Sequence, residues 1–159
     1  MNRATGLLAV TLLLAPLPGS GQVDPDRLAG LKARLIGPAG MSGRVTSIEA
    51  VESDPNVVYL GAATGGVWRS RNGGLTWEPL FDEQPVHAVG AVAVFQPNPD
   101  ILWVGTGEGN PRNSASVGNG VYRSVDGGRT WKSAGLERTE RIHRLRLHPT
   151  NPEVAYACA

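Results

Sequence analysis

Residues 120–131 read Gly120-Val121-Tyr122-Arg123-Ser124-Val125-Asp126-Gly127-Gly128-Arg129-Thr130-Trp131. Residues 66–77 read Gly66-Val67-Trp68-Arg69-Ser70-Arg71-Asn72-Gly73-Gly74-Leu75-Thr76-Trp77. The offset between them is 124 − 70 = 54 residues. Ser-x-Asp/Asn-Gly-Gly-x-Thr-Trp has the chemistry of a hairpin turn. The Asp or Asn side chain accepts from backbone N–H groups further along the turn. The glycines tolerate positive φ without steric cost. Ser and Thr bond across the turn, and Trp supplies a large apolar anchor for the next strand. A turn that recurs at fixed spacing marks a repeat architecture.

A second element recurs ahead of each turn. Asp54-Pro55-Asn56-Val57-Val58-Tyr59 matches Asn98-Pro99-Asp100-Ile101-Leu102-Trp103, and again Asn151-Pro152-Glu153-Val154-Ala155-Tyr156. These offsets are 99 − 55 = 44 and 152 − 99 = 53 residues. The longer second unit carries an extra loop, residues 107–119 (GEGNPRNSASVGN). Alternating apolar residues precede each element: Ile48 and Ala50, Val92 and Val94, Leu145 and Leu147. Period two is the strand signature. Each unit therefore reads as four short strands, A to D. The expected fold is all-β: a partial β-propeller of two four-stranded blades plus the start of a third. A β-sandwich with fortuitous repeats is the alternative; recurrence of two motifs in the same order favours the propeller. The expected divisions are a signal peptide at 1–21, a lead segment at 22–43 (with one short helical turn possible at 26–35), blade 1 at 44–95, blade 2 at 96–147, and the start of a truncated blade 3 at 148–159.

Composition agrees with many short strands. Gly (21) and Pro (12) are frequent among the 159 residues, as tight turns require. The net charge of +1 gives no case for nucleic acid. Arg3, the apolar run at 7–15 (LLAVTLLLA) and the small residues at 16–21 (PLPGSG) form an export signal, with cleavage expected near Gly21-Gln22. The apolar run is too short to span ~30 Å of hydrocarbon, so no stable membrane span is expected and the product is secreted or periplasmic. Cys158 is the only cysteine, which excludes an intrachain disulfide.

The turn motif resembles the Asp-box, or BNR, repeat of secreted β-propellers, a group that includes sialidases, xyloglucan-hydrolysing glycosidases and the sortilin luminal domain. Ser124, Asp126, Gly128, Thr130 and Trp131 fit the full pattern; Ser70, Asn72, Gly74, Thr76 and Trp77 fit it with Asn in place of Asp. From Ile36 onward the chain looks like the start of large secreted bacterial proteins of the sortilin-like or glycosyl hydrolase BNR type. The resemblance implies a binding module for a protein, peptide or glycan ligand. The alternatives are a glycoside hydrolase of the xyloglucanase or sialidase type, active only in a full-length parent, and a non-functional fragment of a larger gene. Xyloglucan-hydrolysing relatives carry an acid just ahead of the Gly-Gly-aromatic stretch; here Ala62-Ala63-Thr64 stands there. Remaining blades, or self-association, would be needed to close the ring.

In an up-and-down blade the A–B and C–D connections share one face, and B–C and D–A share the other. The Asp-box turns thus fall on a structural face. The loop at 107–119 falls on the opposite face, where Glu108, Asn110, Arg112 and Asn113 are the candidate ligand residues; the alternative is a solvated insertion. Asp82, Glu83, His87, Glu137, Arg138 and Glu140 share that face, and Glu108 with one of the acids would make a glycosidase-like carboxylate pair. Arg144 and Arg146 are expected on a solvated or glutamate-paired strand face. His87, His143 and His148 lack metal-ligand spacing and read as strand-end residues. No metal site or cofactor is implied, and no catalytic residue is assigned.

Overall fold

The structure is a computed structural model that describes residues 44–110 and 113–159. The expected signal peptide, lead segment and Arg112 lie outside the described residues. Every regular element among them is a strand. The first sheet runs β1 (Val45–Val51), β2 (Asp54–Ala62), β3 (Gly66–Ser70), β4 (Glu78–Pro79), each strand antiparallel to the next. The second repeats this order with β5 (Val89–Val94), β6 (Leu102–Thr106), β7 (Val121–Ser124) and β8 (Lys132–Ser133). A two-stranded pair follows, β9 (Arg144–Leu147) with β10 (Ala155–Cys158). The protein is a partial β-propeller: two four-stranded blades and the A–B strands of a third.

The blade divisions need correction. Dividing at 95/96 and 147/148 separates β5 from β6 and β9 from β10, yet each pair is hydrogen-bonded within one sheet. The Asn-Pro motif that guided the division marks an A–B turn inside a blade. By hydrogen bonding, the second blade begins at Val89 and the third unit at Arg144.

Strand β5 sits at the centre of the structure, and all six of its residues are buried. Val89, Val92 and Val94 pack towards blade 1, in a core with Val51, Tyr59, Val67, Phe81, Leu102, Val104 and Tyr122. Ala91, Ala93 and the adjacent Phe95 pack with Trp103, Ile142 and Leu145 in a second core towards the third unit. A bulge between Val89 and Ala91 lets Val89 and Val92 join the same core. It requires Gly90, because a Cβ there would lie 2.2 Å from the Ile142 carbonyl oxygen and 2.3 Å from that of Gly107. Among the described residues, none packs on the outward side of blade 1. Ile48, the counterpart of buried Val92, is therefore 65% exposed.

The two Gly-Gly turns are built alike. Ser70 Oγ accepts from Gly74 N at 2.8 Å and donates to Asn72 Oδ1 at 3.0 Å. Ser124 does the same with Gly128 N (2.9 Å) and Asp126 Oδ1 (2.7 Å). Thr76 N and Thr130 N each donate at 2.9 Å to Oδ1 of Asn72 and Asp126. The last contact differs in direction. Asn72 Nδ2 donates to Thr76 Oγ1, whereas Thr130 Oγ1 donates to Asp126 Oδ2. Each threonine hydroxyl rotates to suit its partner, so Asn and Asp build one turn. Gly73, Gly74, Gly127 and Gly128 all have φ between 66° and 93°. Gly73 N donates to Asn56 O and Gly127 N to Asp100 O, both at 2.9 Å. The C–D turn thus leans on the A–B turn of its own blade, on one face.

Three outcomes follow. Phe81 is fully buried between blades and makes edge contacts with Tyr122 and Trp131, at centroid distances of 5.3 and 5.2 Å. Phe81→Ala is expected to cost about 3–5 kcal/mol in urea denaturation. Leu75→Ala, at an 84% exposed turn position, should stay within about 0.5 kcal/mol. The donors around Asp126, the Thr130 hydroxyl and amide first, hold its carboxyl down to about 2, against an ordinary 3.8. A depressed carboxyl stabilises the fold above its unfolded value, and that stabilisation drains away as pH falls from 3.8 to about 2. Thermal melts across that window should show a steeper decline for the native chain than for Asp126→Asn.

Candidate functional site

The described parts of the loop, residues 107–110 and 113–119, lie on the face opposite the Gly-Gly turns. Gly107 N donates to Ala88 O and Gly118 N to Glu140 O, which ties the loop to both D–A connections. Its acid is not presented to a ligand. Glu108 is fully buried, and the Arg44 guanidinium grips its carboxylate with two donors, Nε to Oε1 at 2.7 Å and Nη2 to Oε2. Glu108 N also donates to Ser116 O at 2.9 Å. A carboxylate taken out of water needs such a partner. Glu108 therefore joins the residue just before β1 to a loop of the neighbouring blade, and it forms no solvent-facing pair with Asp82, Glu83, Glu137 or Glu140. The neighbouring Gly109 is packed so tightly on His143 that a Cβ would meet Nδ1 at 2.2 Å. Asn110 and Asn113 are exposed beyond this packed base. Glu137 is engaged locally, accepting from Ser133 Oγ at 2.8 Å. His148 Nδ1 accepts from Thr150 N and Asn151 N, as a turn residue does. Among the described residues no three His, Cys, Asp or Glu side chains are placed to share a metal ion.

A groove of about 610 Å³ crosses the A strands of all three units. The repeat explains its shape. Glu49, Ala93 and Arg146 hold the same position in β1, β5 and β9. The small Ala93 leaves a trough over the central strand, with Phe95 and Gln96 continuing its floor. Glu49 and Glu52 border one side, Arg146 and His148 the other. Arg146 Nη1 lies 3.5 Å from Glu49 Oε1, so Arg146 meets the glutamate-paired expectation while Arg144 is exposed. Partial burial raises the Glu49 carboxyl above its ordinary value, and the nearby Arg146 charge offsets part of that. Desolvation outweighs charge here, so Glu49 holds its proton more firmly than a surface glutamate.

The sequence reading did not single out Glu49. The available signal was an acid among the alternating residues of strand A, at a position where the next repeat carries Ala and the third Arg. Strand alternation alone leaves it as a solvated face; only the approach of β9 across β5 brings Arg146 to it.

No protein-family model matches the chain. Xyloglucanase Xgh74A of Acetivibrio thermocellus is 32% identical over a region covering 54% of this chain and 12% of that enzyme. The match thus spans about an eighth of the curated relative. Among solved structures, an ancestral GH74 enzyme superposes with a TM-score of 0.59 at 15% identity, covering 76% of this chain and 17% of that one. The GH74 enzyme of Niastella koreensis gives 0.50 at 20% identity, over 67% and 16%. At these identities the structural likeness concerns the fold.

The Arg44–Glu108 pair is open to a direct test. Arg44→Ala should destabilise the chain by about 3 kcal/mol, because it leaves a buried carboxylate without its partner. Arg44→Met combined with Glu108→Leu should recover most of that loss in urea denaturation. A loss in the double variant equal to the sum of the two singles would show that the pair is not coupled.

Proposed function

We propose that this chain is part of a glycan-acting β-propeller of the glycoside hydrolase type, exported from the cytoplasm, with Asp-box turns as its structural repeat. The supporting observation is the 32% identity to a xyloglucanase within a fold shared with GH74 enzymes. The groove over β1, β5 and β9 is the surface suited to a polysaccharide. Its floor joins the apolar Ala93 and Phe95 to the Gln96 amide, and its walls carry hydrogen-bonding groups, which suits sugar faces and hydroxyls. Glu49 and Arg146 are its polar pair, and the raised carboxyl gives Glu49 the character of a proton donor. Glycoside hydrolysis needs a second carboxylate across the scissile bond, which a complete propeller would supply from another blade.

A binding module without turnover is the second reading. It is favoured by the sealed Glu108 and by the absence of an acid at Ala62-Ala63-Thr64. The ligand classes it admits are a glycan, a peptide or a protein.

Affinity electrophoresis of the full chain in gels containing xyloglucan tests both. We expect retardation by xyloglucan, weakened about tenfold by Glu49→Gln or Arg146→Gln. A chain folded by circular dichroism but unretarded by xyloglucan or other β-glucans would overturn the glycan reading. Release of reducing ends by a longer form carrying this segment, abolished by Glu49→Gln, would sink the binding-only reading.

A further inference from the structure

The two Gly-Gly turns share their hydrogen-bond frame and differ at one functional group. Asn72 precedes Gly73 in the first, where Asp126 precedes Gly127 in the second. An asparagine followed by glycine can react with its own backbone. The next nitrogen attacks the side-chain carbonyl carbon, and a residue without Cβ leaves that approach open. The surroundings of Asn72 favour such an attack. Its Oδ1 accepts from Ser70 Oγ at 3.0 Å and from Thr76 N at 2.9 Å. Donors on a carbonyl oxygen polarise its carbon and stabilise the negative charge that an attack places on the oxygen. Nδ2, the nitrogen that would leave, donates to Thr76 Oγ1 at 2.9 Å, and that hydroxyl can rotate to return a proton. The Gly73 N–H bond to Asn56 O has to open first. Asn56, Asn72 and Gly73 are all exposed, so water reaches them.

The chain carries two internal comparisons. Asn119–Gly120 is its other Asn-Gly pair. There the amide Oδ1 is buried without a hydrogen-bond partner among the described residues, so nothing polarises it. Gly120 is also wedged in place, since a Cβ would lie 2.4 Å from the Gly135 carbonyl oxygen. Asp126–Gly127 has the turn geometry of Asn72 but presents a carboxyl held down to about 2. It is ionised at neutral pH, and its negative charge repels a nucleophile.

We propose that Asn72 is a self-modification site, at which the turn converts its own asparagine to aspartate. The Gly73 nitrogen gives up its proton to solvent and bonds to Asn72 Cγ. The Cγ–Nδ2 bond breaks, and Nδ2 takes up a proton and leaves as ammonia. The cyclic imide then adds water at Cγ, still polarised by the donors from Ser70 and Thr76. The bond from Cγ to the Gly73 nitrogen breaks, that nitrogen recovers its proton, and a carboxyl remains. One water is consumed and one ammonia released, with no oxidant or reductant. The second turn is the template for the product: Thr76 Oγ1 turns to donate to the new carboxylate, as Thr130 Oγ1 donates to Asp126 Oδ2. Once ionised, the carboxylate does not close the ring again, so the change runs one way.

The test holds the full chain in mildly alkaline buffer and maps its peptides by mass at intervals. Residue 72 should pass from amide to acid while residue 119 keeps its amide. The acid should be aspartate; isoaspartate forms when water adds at the backbone carbonyl of the ring instead. Gly73→Ala should slow the conversion about tenfold by crowding the attacking nitrogen. A Cβ there meets only Asn56 Oδ1, at 3.8 Å, so the turn has room for it. The comparison of residues 72 and 119 uses the unsubstituted chain and does not depend on that variant folding. Four results would each overturn the proposal: an amide kept at residue 72 while the free peptide of residues 66–77 converts, equal conversion at residue 119, isoaspartate as the main product, or an unchanged rate in Gly73→Ala.

Discussion

The interlock of the two blades is the contact on which the rest of the structure depends. Phe81 stands between them with its ring edge-on to Tyr122 and Trp131, while Arg69 and Trp131 exchange hydrogen bonds with the backbone of the opposite blade. A four-stranded blade this small buries little by itself. Its stability comes from the faces it shares with its neighbours, as in other repeat folds. The aromatic cluster supplies apolar burial, and the two polar contacts fix the angle and register at which the blades meet. The turn motif is therefore more than a tight connection. Its glycine carbonyl and its tryptophan are the groups that the preceding blade reads.

The same logic accounts for the difference between β1 and β5. Both have the strand A pattern, but among the described residues β5 has neighbours on both sides and is wholly buried, while β1 has one and exposes Ile48. The small residues of β5 answer two demands. Ala91 and Ala93 let the third unit approach, and Ala93 leaves the trough in which Glu49 and Arg146 meet. Packing constraint and candidate site thus arise from one choice of residue size on one strand.

Charge placement follows burial. Glu108 and Glu49 are both carboxylates near blade junctions, and the structure treats them oppositely. Glu108 is enclosed and held by a two-donor arginine, which makes it a structural tie. Glu49 remains partly open, with a single longer arginine contact and a carboxyl raised by desolvation. That leaves Glu49 as the chemically available group. A Gly-rich loop with an acid, a base and amides reads as functional from sequence because loops over rigid scaffolds often are. Here the same glycines serve close packing, with Gly107, Gly109 and Gly118 each pressed against neighbouring atoms.

By itself the sequence determined the repeat, the all-β class, the order of strands within a blade and the turns that join them. These are local properties: period-two alternation and the Ser, Asp, Gly and Trp chemistry of a turn act over a few residues and repeat visibly. The tertiary structure decided where one blade ends and the next begins, because hydrogen bonding across β5 and β6 is not written in the Asn-Pro motif. It also decided that Glu108 is sealed by Arg44, 64 residues away, and that Glu49 faces Arg146. Those pairings join blades through space, and no local pattern encodes which side chains meet when one sheet packs against another.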